Sequence, residues 1–154
     1  MREATVVSMA THPKSEIRNP KSGLEWVIEA YGCHSAGLAE LPKMRALFAD
    51  LVTAMALRPI GEPVWHQFPT TGGITGLCLL AESHLACHTF PEHQSICLNV
   101  FCCQPRPDWD FAAYFKREFG ATSVNVRRIE RPDSHERESR QLPELRCADQ
   151  VPLV

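Results

Sequence analysis

The chain has 154 residues, 44% of them apolar and 22% charged, a globular composition large enough for one hydrophobic core. A formal net charge of -2 gives no basic field to hold nucleic acid. Met1–Lys14 has no apolar run resembling a signal peptide, and nowhere is there the stretch of about 18 apolar residues that a membrane helix needs, so a soluble, cytoplasmic protein is expected.

Residues 1–22 are polar, contain two Pro and show no periodicity; a loose N-terminal arm is expected. Leu24–Cys33 is rich in strand formers and has Gly32 near its end. The period then changes. Leu41, Met44, Leu47, Phe48, Leu51, Val52 and Met55 recur at helical spacing, with Pro42 in the first turn. This helix should stop before Pro59-Ile60-Gly61.

Pro63–Phe68 reads as a second strand, closed by the turn-rich stretch Pro69–Gly73. Ile74–Ala81, Leu85–Phe90 and Ser95–Cys103 read as the next three. Asp108 is expected to cap a helix running to Gly120, with Trp109, Ala112, Ala113, Phe115 and Phe119 on its core face. Ser123–Ile129 alternates and reads as a final strand. Residues 133–154 are charged, with few large apolar side chains, and are expected to form a mobile tail. One domain over residues 23–132 therefore runs strand, helix, four strands, helix, strand. This order predicts an α+β fold, a two-layer sandwich of a mostly antiparallel sheet with two helices on one face. The other face would lack a cover, and dimerisation is an economical way to bury it.

The seven cysteines are an odd number in a chain without a secretion signal, so reduced thiols are expected. Cys33, Cys78 and Cys87 read as small buried apolar residues. Reactive groups concentrate in Leu79–His93, LLAESHLACHTFPEH. Strands on either side place Glu82-Ser83 at or near a hairpin turn, and the next hairpin turns through Pro91–Gln94. A register centred near His93 sets Phe90 against Ser95 or Ile96, His88 against about Leu98 and Ser83 against about Cys103. Ser83, His88 and Cys103 then lie close together, although a slip of one residue changes which faces meet.

Three readings of this stretch follow from the residues alone. Its polar groups can simply satisfy one another on a strand face. They can bind zinc, since His84, Cys87, His88, His93, Cys97, Cys102 and Cys103 are all able ligands. The sequence has no C-x2-C pair, and adjacent Cys102 and Cys103 point to opposite faces of a strand, so no metal is expected. Or Ser83 is a nucleophile with His88 as base; G-x-S-x-G is absent, which removes the hydrolase elbow.

ESHLACHTFPEH followed by FCC resembles the S-adenosylmethionine decarboxylase family of bacteria and archaea, whose pattern is E-S-H-x3-H-T-[WF]-P-E and then F-T-C. His88 lies five residues after Ser83, Glu92 nine after and Cys103 twenty after, as in that pattern. The likeness extends more weakly over Gly23–Pro132 and leaves out both ends.

The resemblance implies self-cleavage between Glu82 and Ser83. The Ser83 hydroxyl attacks the preceding carbonyl, the peptide becomes an ester, and β-elimination leaves Ser83 as a pyruvoyl group at a new N-terminus. His88 matches the residue that removes the proton, and Thr75 stands where the family has a Ser that assists processing. The pyruvoyl ketone would condense with the amine of S-adenosylmethionine and draw electrons as the carboxylate leaves. Cys103 matches the proton donor, a task that suits a thiol. Phe68 and Phe90 would stack on adenine and Glu92 would accept from the ribose hydroxyls; plain packing for the two Phe and a solvated charge for Glu92 are the alternatives. A homodimer of cleaved protomers, with each site built across the interface, and a role in spermidine synthesis are also implied.

Several positions depart from the pattern. Thr75 replaces Ser, Phe90 the commoner Trp, Cys102 Thr and Gln104 Gly; His93-Gln94-Ser95 stands where an aromatic and a Gly are usual; and the loop before Ile74 is one residue longer. Substrate choice is where these changes fall. Arginine or ornithine decarboxylation by the same machinery, an uncleaved binding homologue and a zinc module remain the competing expectations.

Overall fold

A computed structural model describes residues 23–131. The expected N-terminal arm and C-terminal tail lie outside the described residues. Six strands form one sheet: β1 Gly23–Tyr31, β2 Val64–Gln67, β3 Ile74–Leu80, β4 Ser83–Phe90, β5 Ser95–Cys102 and β6 Ser123–Arg131. Their order is β2-β3-β4-β5-β1-β6, and every pairing is antiparallel. Three helices accompany them: α1 Ser35–Leu38, α2 Leu41–Ala54 and α3 Phe111–Phe119. The α+β sandwich expected from the element order is therefore the observed fold. The short α1 and a single 3-10 turn at Pro91–His93 were not expected; both are too brief to leave a periodic signal.

One face of the sheet is dry. Leu24, Trp26, Ile28 and Ala30 of β1 alternate inward, as do Ile96, Leu98, Val100 and Cys102 of β5. Register stacks these sets, Trp26 against Val100 and Ile28 against Leu98. Met44, Leu47, Phe48 and Leu51 of α2 and Phe111, Tyr114, Phe115 and Phe119 of α3 complete the core. Cys33, Cys78 and Cys87 are buried and behave as the small apolar residues expected. Gly76 is required where it stands: a Cβ there would collide with the Trp65 ring, which lies 4.6 Å from Phe48. Thr89, the one fully buried polar side chain of β4, receives the Ile74 N–H at 2.8 Å and donates to the Leu38 carbonyl at 2.8 Å. It thereby ties β3 and α1 to β4 with no donor or acceptor left over.

Among the described residues, no helix lies over the opposite face. Val64, Leu77 and Leu79 are 71%, 50% and 58% exposed, a large apolar display for a surface.

The third helix corrects the sequence expectation. Its cap is Asp110, whose Oδ1 accepts the Ala113 N–H at 2.9 Å, and not Asp108. Asp108 is solvent-facing, 3.5 Å from Arg128. The later start rotates the apolar stripe, so Phe111 and Tyr114 enter the core while Ala112 and Ala113 do not. Both aspartates precede an apolar run; Pro107 and a full turn's spacing to Ala113 decide between them. Asp110→Ala should cost about 1 kcal/mol in a denaturant titration, the usual loss of an N-cap, while Asp108→Ala should leave the midpoint nearly unchanged.

Candidate active site

Strand β4 presents two different faces. Leu85, Cys87 and Thr89 face the core; His84, Ala86, His88 and Phe90 face the uncovered side. The preceding turn is only Ala81-Glu82, with Leu80 paired to Ser83. Ser83 is thus the first residue of the strand and not part of the turn. Its φ of +156° is just inside the range that side chains of L-residues rarely adopt, so the Glu82–Ser83 peptide sits in a strained link.

Two polar clusters occupy opposite ends of β4. The first surrounds Ser83. The Glu82 carbonyl accepts the Cys103 N–H at 3.1 Å. Ser83 Oγ lies 3.3 Å from His84 Nδ1. His84 Nε2 lies 2.9 Å from Asn99 Oδ1, and Asn99 Nδ2 donates to Glu25 Oε1 at 2.8 Å. Arg131 Nε donates to Glu25 Oε2 at 2.6 Å. The Asn99 hydrogen bond is the main cause holding the Glu25 carboxyl below its ordinary range, with Arg131 assisting.

The Glu82 side chain turns away from this cluster. It is nearly buried between Arg58 and Arg106, with Arg106 Nη2 2.8 Å from Oε2. Neither carboxylate oxygen meets a donor at a hydrogen-bonding angle among the described residues, so the hold is ionic. Arg106 is anchored in turn by Nη1 donating to the Ala56 carbonyl at 2.7 Å. A buried charge is tolerated when countercharges accompany it, and losing one of them is costly.

The second cluster surrounds His88. Thr75 Oγ1 lies 2.6 Å from His88 Nδ1. The imidazole sits between two phenyl rings, 5.5 Å from Phe68 and 4.4 Å from Phe90. His66 adds an edge contact to Phe68 at 4.6 Å. Glu92 lies in the 3-10 turn that follows, and is exposed. Directly across the ladder from His88 is Cys97, whose thiol burial and nearby Glu29 push upward, away from the reactive thiolate.

The β4–β5 register pairs Phe90 with Ser95, His88 with Cys97 and Ser83 with Cys102. It is one residue short of the register that would set His88 against Leu98 and Ser83 against Cys103, because Gln94 takes a left-handed conformation, φ +51°, and closes the turn early. Cys102 is consequently buried, its thiol pushed up chiefly by that burial, and Cys103 is exposed just past the strand end. Ser83, Glu82 and the Cys103 backbone are brought together. Thr75, His88, Phe68 and Phe90 are brought together. The two groups are not joined within one chain: five residues of extended strand separate Ser83 from His88, about 16 Å at roughly 3.3 Å per residue.

Asn99 and Glu25 of the first cluster, and Arg106 beside Glu82, lie outside the motif. His84 is part of the motif and a possible zinc ligand, but the resemblance gives it no part in processing; its i, i+2 alternation with Ala86 and His88 signals that it shares their face. Among the described residues, no group of three or more His, Cys, Asp or Glu side chains is arranged to hold a metal ion, and no helix is long and apolar enough to cross a membrane.

Comparison with known proteins identifies the family. The family model for S-adenosylmethionine decarboxylase matches residues 24–132. An S-adenosylmethionine decarboxylase proenzyme of Moorella thermoacetica is 32% identical over 110 residues, covering 71% of this chain and 86% of that protein. The proenzyme of Thermoplasma volcanium is 33% identical over 112 residues, covering 72% and 85%. The crystal structure of the adenosylmethionine decarboxylase of Aquifex aeolicus superimposes with a TM-score of 0.60 at 25% identity, covering 75% of this chain and 94% of the other. With the family model matching residues 24–132 and relatives above 30% identical over most of the chain, the chain belongs to the S-adenosylmethionine decarboxylase family.

Proposed function

We propose that this chain cleaves itself between Glu82 and Ser83 and then decarboxylates S-adenosylmethionine, using a pyruvoyl group made from Ser83. The observation that carries the reading is the scissile link itself: a two-residue turn, an unfavourable φ at Ser83, and the Cys103 N–H on the Glu82 carbonyl oxygen at 3.1 Å. That N–H is placed to stabilise negative charge as the carbonyl is attacked. Family membership supports the same reading.

The residues present fit the group. Ser83 supplies its carbon skeleton, and the pyruvoyl ketone supplies a carbonyl that condenses with an amine and withdraws electrons when a carboxylate departs. Around it, Arg58 and Arg106 hold Glu82 so that the turn keeps its shape. The exposed Cys103 thiol stands beside the Ser83 end of β4 and is the proton donor in this reading. Phe68 and Phe90 offer aromatic faces to adenine, and the cationic sulfonium is compatible with those faces. Glu92 in the adjoining turn accepts from the ribose hydroxyls.

The separation of Ser83 from His88 has a direct consequence for assembly. His88 is to remove a proton near Ser83, so a complete site needs the Ser83 end of one chain beside the His88 end of another. The uncovered sheet face, with exposed Val64, Leu77 and Leu79, is the surface a twofold pairing would bury. The protein in this reading is a cytoplasmic homodimer with two shared sites, and its product serves spermidine synthesis as an aminopropyl donor.

Intact mass spectrometry of the denatured wild-type chain should give two fragments, 1–82 and 83–154, the second with a pyruvoyl N-terminus; Ser83→Ala should give one chain, and fragments from that variant would refute the assignment. Carbon dioxide release should be seen with S-adenosylmethionine and not with arginine or ornithine. Cys103→Ala should still cleave and should lower kcat by about 10² to 10⁴-fold, the usual worth of a positioned proton donor; an unaltered rate would remove Cys103 from the reaction. Ser83→Ala and His88→Ala chains should each remain uncut when expressed alone. Co-expressed, they should yield cleaved His88→Ala chains, because one site of the mixed dimer has both wild-type residues. No cleavage in the mixture would mean that the site is not shared.

A further inference from the structure

The polar chain running from Arg131 to Ser83 has a direction, and donor–acceptor chemistry fixes it. The Glu25 carboxylate can only accept hydrogen bonds. It receives Arg131 Nε on one oxygen and Asn99 on the other. The NH2 of Asn99 must therefore face Glu25, which leaves its carbonyl Oδ1 facing His84 Nε2 at 2.9 Å. A carbonyl oxygen also only accepts, so Nε2 carries the hydrogen. A neutral imidazole has a single N–H. Its other nitrogen, Nδ1, is then a bare acceptor, and this is the atom 3.3 Å from Ser83 Oγ. The order of side chains, hydroxyl, imidazole, amide, is that of a base-activated nucleophile whose base is oriented by a third group.

We propose that His84 is the catalytic base that takes the Ser83 hydroxyl proton when the Glu82–Ser83 peptide rearranges to an ester, and that Asn99, held by Glu25, is the positioning residue that sets the His84 tautomer. The proposal rests on the self-cleaving reading above. It divides the work between two histidines. His84 is the imidazole that touches the Ser83 hydroxyl within its own chain. His88 reaches Ser83 only from a partner chain, with its own Nδ1 engaged by Thr75, and it serves the later elimination.

The step balances within the chain. Ser83 Oγ bonds to the Glu82 carbonyl carbon as its proton passes to His84 Nδ1. The carbonyl π pair moves onto the Glu82 oxygen, against the Cys103 N–H. When that pair returns, the carbon–nitrogen bond breaks and the His84 proton goes to the departing Ser83 nitrogen. A peptide has become an ester and a free amine, and nothing else is consumed. While His84 is charged, its Nε2–H stays on Asn99 and the Glu25 charge lies one group beyond. The 3.3 Å contact is long for the donation it must make, as catalytic hydrogen bonds often are before the reactive geometry is reached.

The test uses the full chain and hydroxylamine, which splits esters and spares ordinary peptides. The His84→Ala chain, with His84→Gln as a polar replacement that keeps the Asn99 contact, should mature at least about 100-fold more slowly than wild type, the lower end of a general base's worth. Hydroxylamine should not split either variant at residue 82, because no ester has formed. The His88→Ala chain should be split there, because its ester forms and then waits. Added imidazole should restore cleavage to His84→Ala. Asn99→Ala should slow maturation in the wild-type background and add nothing in the His84→Ala background, whereas a purely structural Asn99 would act additively. Maturation of both His84 variants at the wild-type rate, or ester accumulation in them equal to that of His88→Ala, would overturn the role of His84, and additivity would overturn that of Asn99. A wild-type chain that stays whole and resists hydroxylamine is a different outcome, and it would remove the self-cleaving reading itself.

Discussion

Everything at the Ser83 end depends on the register between β4 and β5. With Phe90 set against Ser95, the ladder delivers Ser83 to Cys102 and puts the next peptide, at Cys103, under the Glu82 carbonyl. A shift of one residue would turn His84 inward, bring Cys103 into the sheet and take the N–H away from that oxygen. Register in turn is held by burial. Leu85 and Cys87 can remain dry only if they pair with Val100 and Leu98, and Thr89 locks the far end through its two buried hydrogen bonds. The core thus fixes the geometry around Ser83 from behind, through the alternating residues of the same strand.

The architecture was legible in the sequence because it is written in periods. Alternation gave the strands, the spacing of Met44, Leu47, Phe48 and Leu51 gave α2, and the element order gave the layers. Boundaries were less legible where two residues compete for one role. Asp108 and Asp110 are both good caps, and a cap is decided by a single backbone geometry that composition does not encode. The β4–β5 register likewise hung on whether Gln94 adopts a left-handed turn, which is uncommon for a residue other than Gly and which composition does not announce.

The motif picked out candidate residues, but not which of them meet. Five residues of spacing between Ser83 and His88 reads as proximity on a line of text, and on an extended strand it is a distance. The His84, Asn99 and Glu25 chain lay hidden for the opposite reason. Those three residues are 15 and 74 positions apart in sequence and come together only because β4, β5 and β1 are consecutive in the sheet. No local pattern records such a contact. The arginines around Glu82 come from a loop after α2 and another after β5, and are equally invisible to spacing.

The strand order also bears on what a cut after Glu82 would do to the molecule. Residues 1–82 carry β1, β2 and β3, and residues 83–154 carry β4, β5 and β6. In the sheet, β1 lies between β5 and β6, and β3 lies against β4. Three of the five strand pairings therefore join one fragment to the other. The two peptides would be interleaved like the fingers of clasped hands. Neither could leave without pulling a central strand out of a finished sheet, so a broken backbone and an intact fold are compatible here by topology alone.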